Sequence, residues 1–146
     1  MALIKAVIDT NIWVSALIVP SSNAARLVEQ WSKGKFNLIV SEQQIAELSE
    51  VLTRPRFSKY RIDKDEIADI LEALSARSER VTLKGGTAFC NDPDDDIFIE
   101  AAIMGKAKYL ITGDKGIRDN DTLVTLLQKH GITLTSLSVF LKIIDS

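Results

Sequence analysis

The chain has 146 residues, the size of one domain with a sizeable core, and its 46% hydrophobic and 26% charged content is that of an ordinary globular protein. No apolar run approaches the ~20 residues of a membrane span, Met1-Ala2-Leu3-Ile4-Lys5 has no signal-peptide layout, and the lone Cys90 excludes a disulfide framework or a cysteine-rich zinc site. The cytoplasm is the expected compartment, and a formal net charge of −2 leaves any nucleic-acid contact to a local basic patch.

Leu3–Ile8 is a β-branched-rich apolar run, the pattern of a strand buried on both faces. Ile12–Val19 reads as helix up to Pro20. Ser22 or Asn23 caps a second helix, Ala24–Ser32, which Gly34 ends. Phe36–Val40 is the next strand. Ser41 opens a helix with Gln44 three residues on, a capping-box pattern; Ile45, Leu48 and Leu52 mark its buried face, and it stops before Pro55. Asp63 and Glu66 form a cap-like pair for a helix over Lys64–Ser78. Val81–Leu83 suits a short strand. Asp92-Pro93 opens a helix running to Gly105, with proline at its favoured first position. Tyr109–Thr112 is a further strand, Thr122–Lys129 a helix ended by Gly131, Ile132–Leu134 the last strand and Ser136–Ile144 the last helix. Strands alternating with helices, with no repeat or long linker, predict an α/β fold: three α/β/α layers around a mainly parallel central sheet, one domain over residues 1–146.

In such sheets ligands bind outside the carboxyl ends of the strands. Asp9 and Asp114 lie at or just past two such ends, and Glu47 and the Asp94-Asp95-Asp96 run lie early in helices that start from the same edge. Converging carboxylates repel, and a divalent cation with oxygen ligands neutralises them. Each acid also has a plainer explanation. Asp92 and Asp94–Asp96 suit a helix start and its dipole. Glu47 lies off the Ile45–Leu48 face, as a solvated residue would. Asp114 belongs to the turn-rich Gly113-Asp114-Lys115-Gly116. Asp9, against a buried strand, is the hardest to place without a partner.

Four segments together resemble the PIN-domain nucleases. They are Asp9-Thr10-Asn11; Ser41-x5-Glu47-Leu48-x2-Val51-Leu52-x2-Pro55-x-Phe57; Asp92-Pro93-x-Asp95-x2-Phe98-x-Glu100-x-Ala102; and Tyr109-Leu110-Ile111-Thr112-Gly113-Asp114. Each alone is weak, while their order and spacing span nearly the whole chain. The closest likeness is to the prokaryotic toxin subgroup of toxin–antitoxin pairs, akin to VapC. The resemblance implies an acidic quartet of Asp9, Glu47, Asp95 and Asp114 as catalytic and metal-holding residues. Asp95 takes the third place because it stands seven residues before Ala102, with Asp96 the alternative. Asn11, Thr112 and Ser41 would be polar supports. After Asp114 the chain reads Lys115-Gly116-Ile117-Arg118, where relatives usually continue with an Asp-Leu-Leu-like stretch.

The implied reaction is Mg²⁺- or Mn²⁺-dependent hydrolysis of RNA phosphodiesters. Phosphate contacts would fall to Arg54, Arg56, Lys59 and Arg61, with Lys64 beyond them and Phe57 and Tyr60 interleaved; the plainer role of this segment is a solvated connector. A small antitoxin and a homodimer or higher oligomer are the implied partners, and no membrane is. Trp13 and Trp31 suit either such contacts or the core, and core packing is their commoner use. His130, beside Gly131, suits a helix end, and Cys90 a buried small side chain. The alternative within the same fold is a PIN-like domain that binds RNA or protein without cutting. A phosphoacceptor receiver domain fits poorly, because Asp9 is followed by Thr10 and the second strand ends in Ser41 instead of an acceptor aspartate.

Overall fold

The structure, a computed structural model, describes residues 3–54, 63–85 and 93–145, with the side chains of residues 93–95 outside that description. In chain order the elements are β1 (Lys5–Ile8), α1 (Thr10–Ile18), α2 (Asn23–Ser32), β2 (Asn37–Ser41), α3 (Glu42–Leu52), α4 (Lys64–Arg77), β3 (Glu79–Val81), α5 (Pro93–Met104), β4 (Tyr109–Ile111), α6 (Lys115–Arg118), α7 (Asp121–Lys129), β5 (Thr133–Thr135) and α8 (Leu137–Ile144). The five strands form one sheet in the order β3-β2-β1-β4-β5. Among the described residues every pairing is parallel, where the sequence predicts a mainly parallel sheet.

Alternation along the strands builds two apolar layers. Ala6 and Ile8 of β1, Leu38 and Val40 of β2 and Ile111 of β4 pack on one side with α1, α2, α3 and α8. Val7, Ile39 and Leu110 pack on the other with α5 and α7. β1 lies at the centre of the sheet, and Ala6, Val7 and Ile8 are all buried, which explains its unbroken apolar run. Trp13 and Trp31 belong to the core, ring edge to ring face with centroids 5.4 Å apart, a pairing that adds about 0.5–1.5 kcal/mol beyond burial. Arg77 covers the outer side of Trp31 and donates to the Ser32 carbonyl.

Caps set the helix starts. Ser22 accepts from Ala25 N–H and Asp63 from Asp65 N–H. His130 is the exposed C-cap of α7, followed by Gly131 at φ 75°. Three local expectations change. β3 lies at Glu79–Val81, pairing with Ile39–Ser41, instead of Val81–Leu83. α1 begins at Thr10, directly capped by Asp9, instead of at Ile12. The turn-like Gly113–Gly116 leads into a short helix, α6, capped by Asp114.

Candidate functional site

The strand order reverses between β1 and β4: from β1 the chain moves outward to β2 and β3, and from β4 to β5. Crevices form at such switch points, outside the carboxyl ends. Asp9 follows β1 and Thr112 follows β4, one step beyond the Ile8–Ile111 pair. The Asp9 N–H donates to the Ile111 carbonyl at 2.9 Å, carrying the β1–β4 pairing to this point.

Asp9 is buried, at 5% exposure. Its Oδ1 accepts from the Asn11 N–H at 3.0 Å and its Oδ2 from the Thr112 hydroxyl at 2.9 Å. The Thr112 oxygen in turn accepts the Asp114 N–H at 3.1 Å. Asp114 Oδ1 takes the N–H groups of Gly116 (2.8 Å) and Ile117 (3.3 Å), and Oδ2 takes no hydrogen bond among the described residues. Burial pushes the Asp9 carboxyl above its ordinary 3.8; the Asn11 and Thr112 hydrogen bonds pull it down, and the charge of Asp114 pushes it up. The two acids flank a cleft of about 300 Å³ that Asn11, Ile12, Ser15 and Gly113 also line.

Glu47 lies three residues after Gln44 on α3 and is half-buried. Ser41 is buried and serves as the cap of α3, accepting from Gln44 N–H at 3.1 Å. Asp95 stands in the first turn of α5 with its side chain outside the described residues, and Asp96 is half-buried. Arg54 is exposed and ion-paired with Glu50 one turn earlier at 3.2 Å. Arg56, Lys59 and Arg61, like Phe57, Tyr60, Cys90 and Asp92, lie outside the described residues. The structure therefore brings Asp9, Thr112, Asp114 and Asn11 together at one edge. Among the described residues no group of three histidine, cysteine or acidic side chains comes together as a metal cage.

Three further polar residues lie on the helices that carry candidate site residues, α1, α3 and α5. Ser15, exposed one turn after Asn11, lines the cleft. Gln44 is buried and its side chain bonds the carbonyl of Ile8; its i−4 spacing from Leu48 is the signal, since Gln44, Leu48 and Leu52 form the buried stripe of α3. Glu100, buried on α5, accepts from the N–H groups of Lys84 and Gly85.

The donor chemistry suits a hard divalent cation. Asp9 and Asp114 offer carboxylate oxygens on one cleft, their charges oppose each other, and one Asp114 oxygen carries no described hydrogen bond. An open, doubly wound parallel sheet with acids at its switch point defines the class of α/β proteins that bind ligands outside the carboxyl ends of their strands. Within that class the chain belongs to the PIN domain family, whose model matches residues 5–116, a span holding Asp9, Glu47, Asp95 and Asp114. PIN domains are generally nucleases that use divalent metal ions. An uncharacterized protein of Methanocaldococcus jannaschii, MJ1680, is 32% identical over 130 residues, covering 87% of this chain and 83% of that one. A chain of the crystal structure of VapBC2 from Rickettsia felis, bound to a DNA fragment from its promoter, has the same fold, with a TM-score of 0.53 at 16% identity over 91% of this chain and 98% of that one. No helix among the described residues is long and apolar enough to cross a membrane.

Proposed function

We propose that this protein is a Mg²⁺- or Mn²⁺-dependent endoribonuclease and the toxin of a toxin–antitoxin pair. The observation that carries the nuclease reading is Asp9: a buried carboxylate at the switch point, facing a second acid across an open cleft. Asp9 and Asp114 would hold the metal, with Asp95 or Asp96 and Glu47 completing the acidic set. When bound, the metal supplies an activated water and stabilises charge on the phosphate and the leaving oxygen.

The chain's own residues do the rest. Asn11 N–H and the Thr112 hydroxyl fix both oxygens of Asp9, so its lone pairs are directed before any ligand arrives. The N–H groups of Gly116 and Ile117 do the same for one oxygen of Asp114. An acidic cleft repels a phosphodiester, so Arg54 with Arg56, Lys59 and Arg61 are proposed to hold the RNA backbone, each contributing to the salt dependence of binding. The toxin reading is supported by the likeness in fold to a chain of the VapBC2 complex. A small antitoxin covering the acidic cleft, and self-association of the chain, are the partners it implies.

The test is Mn²⁺-dependent cleavage of a labelled single-stranded RNA by wild type and Asp9→Asn. Cleavage by the wild type and at least a hundredfold loss in the variant is the expected result, a factor of about 3 kcal/mol in the barrier. Equal cleavage by both proteins sinks the metal-nuclease reading. RNA binding without cleavage in either would make the chain a binding module. Co-purification with the product of an adjacent small gene tests the antitoxin.

A further inference from the structure

The ladder between β1 and β2 ends early. It pairs Lys5 with Asn37 and Ala6 with Leu38, whereas β1 stays paired to β4 as far as Ile8 and Ile111. Successive residues of a strand send their N–H and C=O groups to opposite neighbours. Asp9 N–H points to β4, so the Ile8 carbonyl points toward β2, at a level where no β1–β2 ladder pair remains. A buried carbonyl there needs a donor from elsewhere. Gln44 supplies it: Nε2 donates to the Ile8 oxygen at 2.5 Å, and Gln44 is 4% exposed.

The capping-box pattern predicts that the Gln44 side chain turns back to the Ser41 N–H. Only half of that box forms. The Gln44 N–H does bond the Ser41 hydroxyl, while the side chain crosses to β1. Gln44 therefore ties the first turn of α3 to the residue bonded directly to Asp9. Glu47, three residues on, lies on the same side of the helix. The connection runs Asp9, Ile8, Gln44, Glu47, and it bridges the place where the sheet no longer joins β1 to β2.

We infer that Gln44 is a positioning residue that sets Glu47 relative to Asp9. The inference rests on the metal-nuclease reading above. The amide side chain supplies the donor this role needs. A leucine or methionine would fill the same stripe with no donor, and an ionised glutamate would set oxygen against oxygen. A residue that only satisfies Ile8 and packs beside Leu48 would affect folding without acting through Glu47, and that difference is measurable.

The experiment is a double-mutant cycle in Mn²⁺-supported RNA cleavage, read in single turnover with the full chain: wild type, Gln44→Met, Glu47→Gln and the double variant. Ser22→Ala, which removes the cap of α2 far from the site, is the stability control. Gln44→Met is expected to lower the rate of cleavage about ten- to a hundredfold with little change in the RNA concentration giving half-maximal rate, the scale of a small misplacement of reacting groups. On the Glu47→Gln background the same change should cost less than about threefold, because the two residues act as one unit. Ser22→Ala should cut at the wild-type rate. An equal factor on both backgrounds, or a wild-type rate for Gln44→Met, overturns the inference. If Gln44→Met does not fold, Gln44→Asn, which keeps a donor on a shorter stem, takes its place with the same two outcomes. A wild type that cuts and loses activity with Asp9→Asn leaves the nuclease reading standing whatever Gln44 does; a wild type that does not cut removes both.

Discussion

A single hydroxyl joins the two acids of the cleft: Thr112 Oγ1 donates to Asp9 Oδ2 at 2.9 Å and accepts the Asp114 N–H at 3.1 Å. Thr112 is fully buried, so water cannot take over either bond. Thr112→Val keeps the shape and removes both. It is expected to lower stability by about 1.5–3 kcal/mol, the range for a lost hydrogen bond to a charged group, measured by urea unfolding in a chelator. Thr112→Ser should recover most of the loss. Wild-type stability in Thr112→Val would mean that the bridge contributes nothing.

The burial of Asp9 predicts a pH dependence of defined sign. Its carboxyl is held above 3.8, chiefly by burial, so the folded chain binds this proton more tightly than the unfolded one. The resulting stability is complete below about 3.8 and is lost as pH rises through the folded value; above it, the ionised group is a fixed cost. In chelator, Asp9→Asn is therefore expected to melt above the wild type at pH 7, with the gap closing as the pH falls toward 3.8. Mn²⁺ should reverse the order by stabilising the wild type alone, by about 2.7 kcal/mol at a hundred times its dissociation constant. A variant that melts below the wild type in chelator at pH 7, or that gains equally from Mn²⁺, contradicts the assignment.

The parts legible in the sequence are those where one residue type has one cheap explanation. Val7-Ile8-Asp9 reads as a buried strand ending in an acid because β-branched runs and abrupt ionisable residues rarely coincide otherwise. Other positions carry two meanings. Gln44 three residues after Ser41 is the signature of a capping box, and nothing local reveals that the β1–β2 ladder stops at Leu38 and leaves Ile8 needing a donor. Gly113–Gly116 uses the same residues for a turn as Asp114 uses to cap α6, the two being alike for their first hydrogen bonds. β3 lies two residues earlier than apolar content suggests. That content points to Val81–Leu83, whereas an edge strand needs only its backbone, and Glu79 and Arg80 are exposed. Their salt bridges to Lys5 and Glu42 lie on the surface and add little.

The end of α5 predicts opposite effects at adjacent positions. A Cβ on Gly105 would meet Ile39 Cγ2 at 2.7 Å and Cδ1 at 2.8 Å, inside a fully buried contact between α5 and β2. Gly105→Ala should cost about 1–3 kcal/mol through overpacking, with part recovered by Ile39→Val, which removes Cδ1. Lys106, the next residue, sits at φ 56°, where a side chain costs about 1–2 kcal/mol. Lys106→Gly is therefore expected to raise the melting temperature. Thermal unfolding of the three variants checks both signs, and a destabilised Lys106→Gly would mean that the lysine side chain contributes more than its backbone strain costs.

Glu100 predicts a local effect that separates anchoring from packing. Its Oε2 accepts from Lys84 N–H at 2.7 Å and its Oε1 from Gly85 N–H at 3.0 Å, tying the chain beyond β3 to the helix that carries Asp95 and Asp96. Glu100→Gln keeps the length and packing of the side chain but turns an NH₂ group toward one of the two donors. That removes one of the two hydrogen bonds, and because Lys84 and Gly85 are exposed and water can take the released N–H, the cost should be about 0.5–1.5 kcal/mol. Amide exchange at Lys84 and Gly85 should then quicken by more than at the β1 amides, because the carboxylate is what closes them. Equal quickening at all these sites would show that Glu100→Gln lowers only global stability. Unchanged exchange at both would show that the two amides are held by something other than this carboxylate, and the tie between β3 and α5 would have to be sought elsewhere.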